Sequence, residues 1–454
     1  MAKQITTARD GFATRLGVLA ATLGSAVGLG NIWKFPALTG QNGGASFLLV
    51  YVLATLLVGL PVMISEIMLG RRARANAVGT FRQLAPKGQP WHLVGLSGVV
   101  AAFLIMGFYT DVAGWVFAYI FKALSGEIAT TDPAVAAKAF EGLVSNPVQS
   151  LLWQWGVLVL ISVIIIAGVA QGIERTTKVL MPVLLLLLVA VCARSLTLPK
   201  AGEGLAFLFT PDFSKITPSV ILMALGLAFF KLSIGMGTMT TYGSYFRNDQ
   251  DIPLTATRVM LCDLTISILA GMAVFPAVFN FGFEPSAGPS LLFMTIPAVF
   301  TSLPGGQVFM VIFFCLTAIA ATGAMLSLLE VPVAWLAESF GMPRKRATIV
   351  TSVTLAIIGI PATLSMSTMA NVKIFGMTVF DLYDFMSSNV LLPVGGIFIC
   401  LFAGWVWGAA NVKTELSNRG QLLNGPIIAA FLTVVRWVSP ILVLLVLLKG
   451  LKVF

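Results

Sequence analysis

One lysine stands inside an otherwise apolar run, Phe229-Phe230-Lys231-Leu232-Ser233-Ile234-Gly235-Met236-Gly237. If that run crosses a bilayer, an ammonium near its middle costs about 2.5–3.5 kcal/mol on insertion scales. Such a charge needs a counter-charge, a wet cavity or a ligand. Lys231 also sits one turn before a Gly-x-Gly that unwinds a helix. Broken helices at membrane depth survive where the freed backbone lines protein or a cavity, as in transporter binding sites. The residue types therefore point to a binding site around Lys231.

A second Gly-x-Gly lies in Ser25-Ala26-Val27-Gly28-Leu29-Gly30-Asn31, five apolar segments earlier. Close helix packing uses glycine too, but the matched pair together with Lys231 favours two discontinuous helices in an inverted repeat.

The elements that must hold these residues are membrane helices. Of the 454 residues, 58% are hydrophobic and 10% charged, where a soluble domain carries about 25% charged residues. Apolar stretches near the required length fall at about 12–36, 44–69, 92–121, 150–170, 178–198, 218–245, 254–282, 305–337, 347–365, 381–408 and 425–448, which makes about eleven helices. The segments between them, 123–149, 198–217 and 283–304, read as loops, the last dipping toward a vestibule.

The net charge of +10 does not indicate nucleic acid. Arg71, Arg72, Arg74, Arg82 and Lys87, then Arg175 and Lys178, then Arg344, Lys345 and Arg346 occupy alternate loops. The positive-inside rule puts these loops and the N-terminus in the cytoplasm. An odd helix count then puts the C-terminus outside, against which Lys449 and Lys452 argue.

Cys192, Cys262, Cys315 and Cys400 all lie in apolar segments, so no disulfide framework is indicated. No Walker A sequence or Cys/His metal spacing is present, His92 is the single histidine, and no nucleophile–base pair stands out. ATP-driven transport, metal catalysis and membrane enzymes lose support, and no cofactor is expected. Lys3 and Arg9 precede an apolar helix without a small-residue cleavage site, so the first helix is expected to be retained.

The run Arg15-Leu16-Gly17, then Gly24 through Pro36, then Asn42-Gly43-Gly44, resembles the signature of the neurotransmitter:sodium symporter family. The resemblance continues through Phe108-Tyr109, Gly172-Ile173-Glu174-Arg175, Tyr242-Gly243-Ser244-Tyr245, Asp249-Gln250-Asp251-Ile252, Ser327-Leu328-Leu329-Glu330 and Asp381-x-x-Asp384. It implies an all-α, leucine-transporter fold. Residues 12–198 would form one five-helix repeat, 215–411 the inverted second, and 425–448 an extra helix, all in one transporter domain at residues 1–454.

The resemblance also implies an amino acid or related amine held at the midplane of a plasma membrane, the inner membrane in a bacterium. Backbone N–H groups at Leu29 and Gly30, with the Tyr109 hydroxyl, would take its carboxylate. Gly28 leaves room for that carboxylate, and Ile105, Phe230, Ser233, Met236, Ala324 and Leu328 would line the pocket. Lys34 and Asp384 match an outer charged gate lidded by Phe230 and Tyr109, while Arg9 and Glu338 match an inner gate near Tyr245 and Ser244. Glu66 matches a carboxylate that holds the unwound sixth helix.

Three departures from the family bear on coupling. Lys231 stands where the family has a hydroxyl ligand of its first sodium, and Asp263 where it has an asparagine. With Ala26 and Asn31 completing that site, the expectation is a buried Lys231–Asp263 pair in place of the ion, with the ammonium also reaching the substrate carboxylate. In the second sodium site Gly323 and Ala324 replace two hydroxyl residues, leaving Gly24, Val27 and Ala320, unless a one-residue slip restores Thr322. Sodium is thus expected to bind weakly. Ser267 favours chloride, yet Leu227 and Asp263 disfavour it, so chloride dependence is not expected. Asp111 is a further intramembrane carboxylate, either in a proton route or facing vestibule water. A conventional sodium symporter and a non-transporting amino-acid sensor stand as the alternatives.

Overall fold

The computed structural model describes residues 10–282 and 291–453. Among them there is no strand beyond one isolated bridge, Ile374 with Met377. Among the described residues nine continuous helices are long and apolar enough to span: Ala45–Ala73, His92–Ser125, Pro147–Ile166, Val169–Leu196, Ile252–Asn280, Gly306–Ser339, Arg344–Met366, Val379–Val406 and Gly425–Gly450. The pair Arg15–Ala26 and Gly30–Gln41, bent by 52°, precedes them as the first span. Pro218–Lys231 and Thr238–Gly243 form a second interrupted helix, the sixth span in chain order. Counting each interrupted helix as one span, eleven spans occur among the described residues, close to the segments expected from the sequence.

Local chemistry starts these helices where the structure has them. Thr14, Asn146, Thr217 and Asp251 each accept a backbone N–H two or three residues inside a helix start, and Pro147, Pro218 and Pro253 sit where a missing N–H costs nothing. The 34-residue third and eighth spans, about 50 Å long, exceed the hydrocarbon thickness and pack along each other. The fourth packs on the ninth, and the two halves of the sixth pack on the second.

The segments read as loops contain structure of their own. Pro133–Val144, Ala201–Phe209 and Ile296–Thr301 are helical, as are Ala77–Leu84 and Ala409–Leu416 at other turns. These helices are too short to span, and their apolar faces pack on neighbouring elements. Tertiary burial therefore decides them, as is usual for short helices. Pro285 and Pro289 of the expected 283–304 loop fall outside the described residues.

Candidate functional site

The two Gly-x-Gly breaks have different causes. In the sixth span the helix ends at Lys231, and Ser233, Gly235 and Gly237 take φ of 52°, 78° and 77°. Glycine suits the last two because that region is costly for side chains. Glu66 bridges the break: its carboxylate accepts from the Gly235 N–H at 2.6 Å, the Thr240 N–H at 3.2 Å and the Thr240 hydroxyl at 3.0 Å. In the first span no positive φ occurs at Gly28 or Gly30. A Cβ on Gly28 would lie 2.9 Å from the Tyr109 hydroxyl and 3.1 Å from Ala324 Cβ, and one on Gly30 would lie 3.1 Å from Lys231 Cγ. Here glycine is required by close approach.

Between the breaks lies a cavity of about 30 Å³, lined by Ser25, Ala26, Gly28, Gly30, Ile105, Tyr109, Phe230, Lys231, Ser233, Met236, Ala324 and Leu328. The pocket positions expected from the sequence converge here, with Leu29 contributing its N–H, which donates to the Tyr109 oxygen at 3.0 Å. Tyr109 keeps its O–H as a donor for a ligand. The space suffices for a water or two, so a larger ligand enters only when the walls part.

Lys231 lines the cavity with its stem while its charge points elsewhere. Its Nζ donates to Asp263 Oδ2 at 3.1 Å, to the Tyr51 oxygen at 2.9 Å and to Ser267 Oγ. Both side chains of the Lys231–Asp263 pair are fully buried. Three donors meet three acceptors, which is the full complement of an ammonium. The rings of Tyr51 and Phe35 lie 4.9 and 5.2 Å from the charge, adding cation–π attraction.

Asn31 completes the network. Its Nδ2 donates to Asp263 Oδ1 at 2.7 Å and to Ser267 Oγ at 3.1 Å, while its Oδ1 accepts the Gly28 N–H at 3.2 Å. Ser267 in turn donates to the Asp263 carbonyl at 2.8 Å. The expectation that the ammonium also reaches a ligand carboxylate is corrected here, because no N–H remains free. Tyr51 went unnoticed in the sequence and Ser267 was read only for chloride; a tyrosine 180 positions from Lys231 gives no local signal.

At the expected second cation position the first and eighth spans touch backbone to backbone. A Cβ on Gly323 would lie 2.7 Å from the Gly24 carbonyl oxygen. Thr322 donates its hydroxyl to the Ala318 carbonyl at 2.8 Å within its own helix. Ser25 donates to Ser327 at 2.8 Å and its carbonyl accepts from Ser233 at 2.7 Å. Val27, Ala320 and Ala324 are buried and bring no side-chain oxygen.

The expected outer gate pair is not formed. Lys34 Nζ sits 4.1 Å from the centroid of the Phe230 ring, and Asp384 accepts from Ser388 at 2.7 Å. The cation takes the face of the ring over the cavity instead of the more distant carboxylate. Of the expected inner gate, Arg9 lies outside the described residues. Glu338 accepts from the Asn76 N–H at 2.7 Å and from Asn76 Nδ2 at 3.0 Å.

Tyr245 donates to Glu330 at 2.6 Å, and Arg344 grips the same carboxylate through both terminal nitrogens at 2.9 and 2.6 Å. Arg15 and Arg247 bind Asp249 at 2.9 and 3.1 Å, which holds this exposed carboxyl at about 2. Of these residues, sequence reading assigns a gate role to Tyr245 alone; Arg15, Glu330 and Asp249 stood only in the family motifs and Arg344 in a basic loop.

Among the described residues no cluster of metal-ligating side chains occurs. A model of the sodium:neurotransmitter symporter family matches residues 9–140 and 144–454. The uncharacterised sodium-dependent transporter YhdH of Bacillus subtilis is 39% identical over 96% of this chain and 97% of its own. An uncharacterised sodium-dependent transporter of Haemophilus influenzae is 35% identical over 98% of both. The crystal structure of MhsT in complex with L-phenylalanine superposes with a TM-score of 0.89 at 43% identity, covering 97% of this chain and 100% of that one. The eleven spans thus adopt the leucine-transporter fold, and the chain belongs to the sodium:neurotransmitter symporter family as a multi-pass membrane transporter and not an enzyme.

Proposed function

We propose that this transporter carries an amino acid or closely related amine by alternating access, and that the Lys231 ammonium permanently replaces the first sodium. The observation that carries the reading is the closed network of Lys231, Asp263, Tyr51 and Ser267. A buried cation with every donor satisfied leaves neither space nor charge deficit for a metal ion. The close backbone contact of Gly24 with Gly323, with no side-chain oxygen from Gly323 or Ala324, supports weak sodium binding at the second position. Ser267 has its donor and both lone pairs in use, and with the Asp263 carboxylate beside it, chloride dependence is not expected.

For the substrate, the L-phenylalanine in the MhsT complex and the apolar walls Ile105, Phe230, Met236, Ala324 and Leu328 support a hydrophobic amino acid. Its carboxylate would meet the Tyr109 hydroxyl and the start of the second half of the first span, the positive end of a helix. Packing of the third span on the eighth and the fourth on the ninth, each five apart, supports two inverted repeats at 12–198 and 215–411 with 425–448 as the extra helix. The basic loops support a cytoplasmic N-terminus in a plasma membrane, the inner membrane in a bacterium. Lys34, Asp384, Glu338 and Arg9 remain the candidate gates, with the outer pair closing at another stage of the cycle.

A second reading, a sodium symporter using the second site, is favoured by the names of the two bacterial relatives. Calorimetry separates the two. A thermal-shift panel of amino acids and amines first selects a ligand, beginning with L-phenylalanine. That ligand is expected to bind equally well in sodium and in choline buffers, whereas a large gain specific to sodium would establish the second reading. Tyr109→Phe is expected to weaken the same binding by about 1–3 kcal/mol, since the Leu29 N–H loses its acceptor and the carboxylate its donor. Unchanged affinity in this variant would remove Tyr109 from the substrate site.

A further inference from the structure

Asp111 is 1% exposed, and among the described residues neither of its carboxylate oxygens has a hydrogen-bond partner. Its polar neighbours are the indole N–H of Trp115, one turn along the same helix, and the hydroxyl of Thr363 at the end of the ninth span. Both of these groups are buried and also without a partner in hydrogen-bond geometry. The Trp115 N–H and the Thr363 hydroxyl stand close enough to act on the carboxyl as weak donors, yet neither reaches it in good hydrogen-bond geometry, so three polar groups converge in one enclosed place without closing a network. Asp111 does not line the substrate cavity, because two residues along a helix turn the side chain about 200° from Tyr109.

Among the described residues no cation offsets a charge here. The third span carries His92 and Lys122 near its ends, and Lys122, the nearer, is roughly 16 Å along the helix from Asp111. It forms a pair with Glu127. The fourth span has no ionisable residue. The ninth carries Arg344, Lys345 and Arg346 at the end opposite Thr363.

The eighth span brings Cys315, Glu330 and Glu338, the two glutamates being bound on the inner side to Tyr245, Arg344 and Asn76. Of the short helices packed near this part of the third span, Ala77–Leu84 carries Arg82 near the inner end and Pro133–Val144 carries Lys138 and Glu141 at the outer end. The tenth span contributes Asp381 and Asp384, bound to Thr378 and Ser388, and Tyr383, whose hydroxyl donates to the Ile358 carbonyl at 3.2 Å. Tyr109 and Tyr119 lie on the third span itself. A carboxylate in this setting is an unpaired buried charge, whereas the neutral acid is far cheaper.

The outer wall is aromatic, and one of its rings, Phe380, belongs to a separate span. Trp115 stacks on Phe380 with centroids 6.1 Å apart and planes 13° apart, and Phe108 packs against Phe380 at 5.3 Å. Phe380 opens the tenth span, one turn before the candidate gate residue Asp384. We propose that Asp111 is a proton-binding site of the outer half, carrying its proton while Trp115, Thr363 and Phe380 enclose it and releasing it to water when the tenth span swings away. On opening, the carboxyl O–H proton passes to a vestibule water and leaves the carboxylate hydrated. Closing requires the reverse transfer, so acid outside favours closure. This deepens the alternating-access reading and rests on it for the motion of the tenth span.

Infrared spectroscopy of the purified transporter in lipid nanodiscs tests the site without substrate or sodium. The wild type is expected to show, at neutral pH, a protonated-carboxyl stretch that shifts in deuterium oxide and is absent from Asp111→Asn. The buried carboxyls of Glu66, Asp263 and Glu330 cancel in the difference. Phe380→Ala, which removes the lid, is expected to lose the band at a lower pH than the wild type. Asp111→Leu serves as the reference if the asparagine variant does not fold. Identical spectra for the wild type and either Asp111 variant would overturn the proposal. A band indifferent to Phe380 would overturn the gating by the tenth span. Because neither sodium nor substrate enters the measurement, its failure leaves the Lys231 reading standing, and a sodium-specific gain in calorimetry leaves the proton site standing.

Discussion

Asp263→Ala is expected to lower stability by about 3–5 kcal/mol, and Lys231→Ala by a similar amount, because each leaves a buried charge without its partner. The lysine variant strands a carboxylate that retains Asn31 and Tyr51. The aspartate variant strands an ammonium that retains Tyr51 and Ser267. Neither neutral remnant replaces the opposite charge in a site closed to water. Lys231 ends a helix, where the partial negative charge of the C-terminus offsets only a fraction of an ammonium's cost. Thermal or chemical unfolding in detergent of matched lipid content reads the effect. Single variants that melt with the parent would show that the pair carries no such energy.

The double variant Lys231→Thr with Asp263→Asn removes both charges together, so it is expected to be milder than either single change. It also returns two oxygens to a place already bordered by Ala26 and Asn31. A sodium-specific gain in melting stability is then expected, absent from the parent, approaching about 2.7 kcal/mol when sodium exceeds its Kd a hundredfold. The gain has one structural condition. Asn31 now presents its Nδ2 to Asp263 and gives its oxygen to the Gly28 N–H. Its amide must turn over to offer oxygen to a metal ion. Equal stabilisation by sodium and potassium would show that more than these two residues keeps the site from sodium.

How the sequence relates to these sites follows from the range over which each signal acts. Eleven spans, two helix breaks and the need of Lys231 for a partner were legible because each rests on a local or nearly local rule. Apolar runs near twenty residues must span, a Gly-x-Gly frees backbone, and a lysine in such a run demands a counter-charge, whereas Asp263 as its partner came from the family resemblance. The cavity positions Gly28, Ile105, Tyr109, Phe230, Met236 and Leu328 came from a resemblance and not from periodicity, and the structure brings them together.

Tertiary structure decided which partner each polar group takes. Tyr51 and Ser267 fill the remaining donors of Lys231, which turns a lysine expected to face the ligand into one closed off from it. Lys34 lies over Phe230 instead of joining Asp384, and Arg344 holds Glu330 from fourteen positions away. Short helices at 133–144 and 201–209 form where sequence patterning suggests loop, because burial against neighbouring elements supplies what propensity does not. Asp111 was visible as an oddity, but its lack of a partner is a property of the helices around it. The sequence by itself determined where charge and helix breaks enter the membrane, since composition and spacing act along the chain. Only the packed structure decided what each charge meets, since hydrogen bonds and ion pairs act over a few ångströms between segments far apart in sequence.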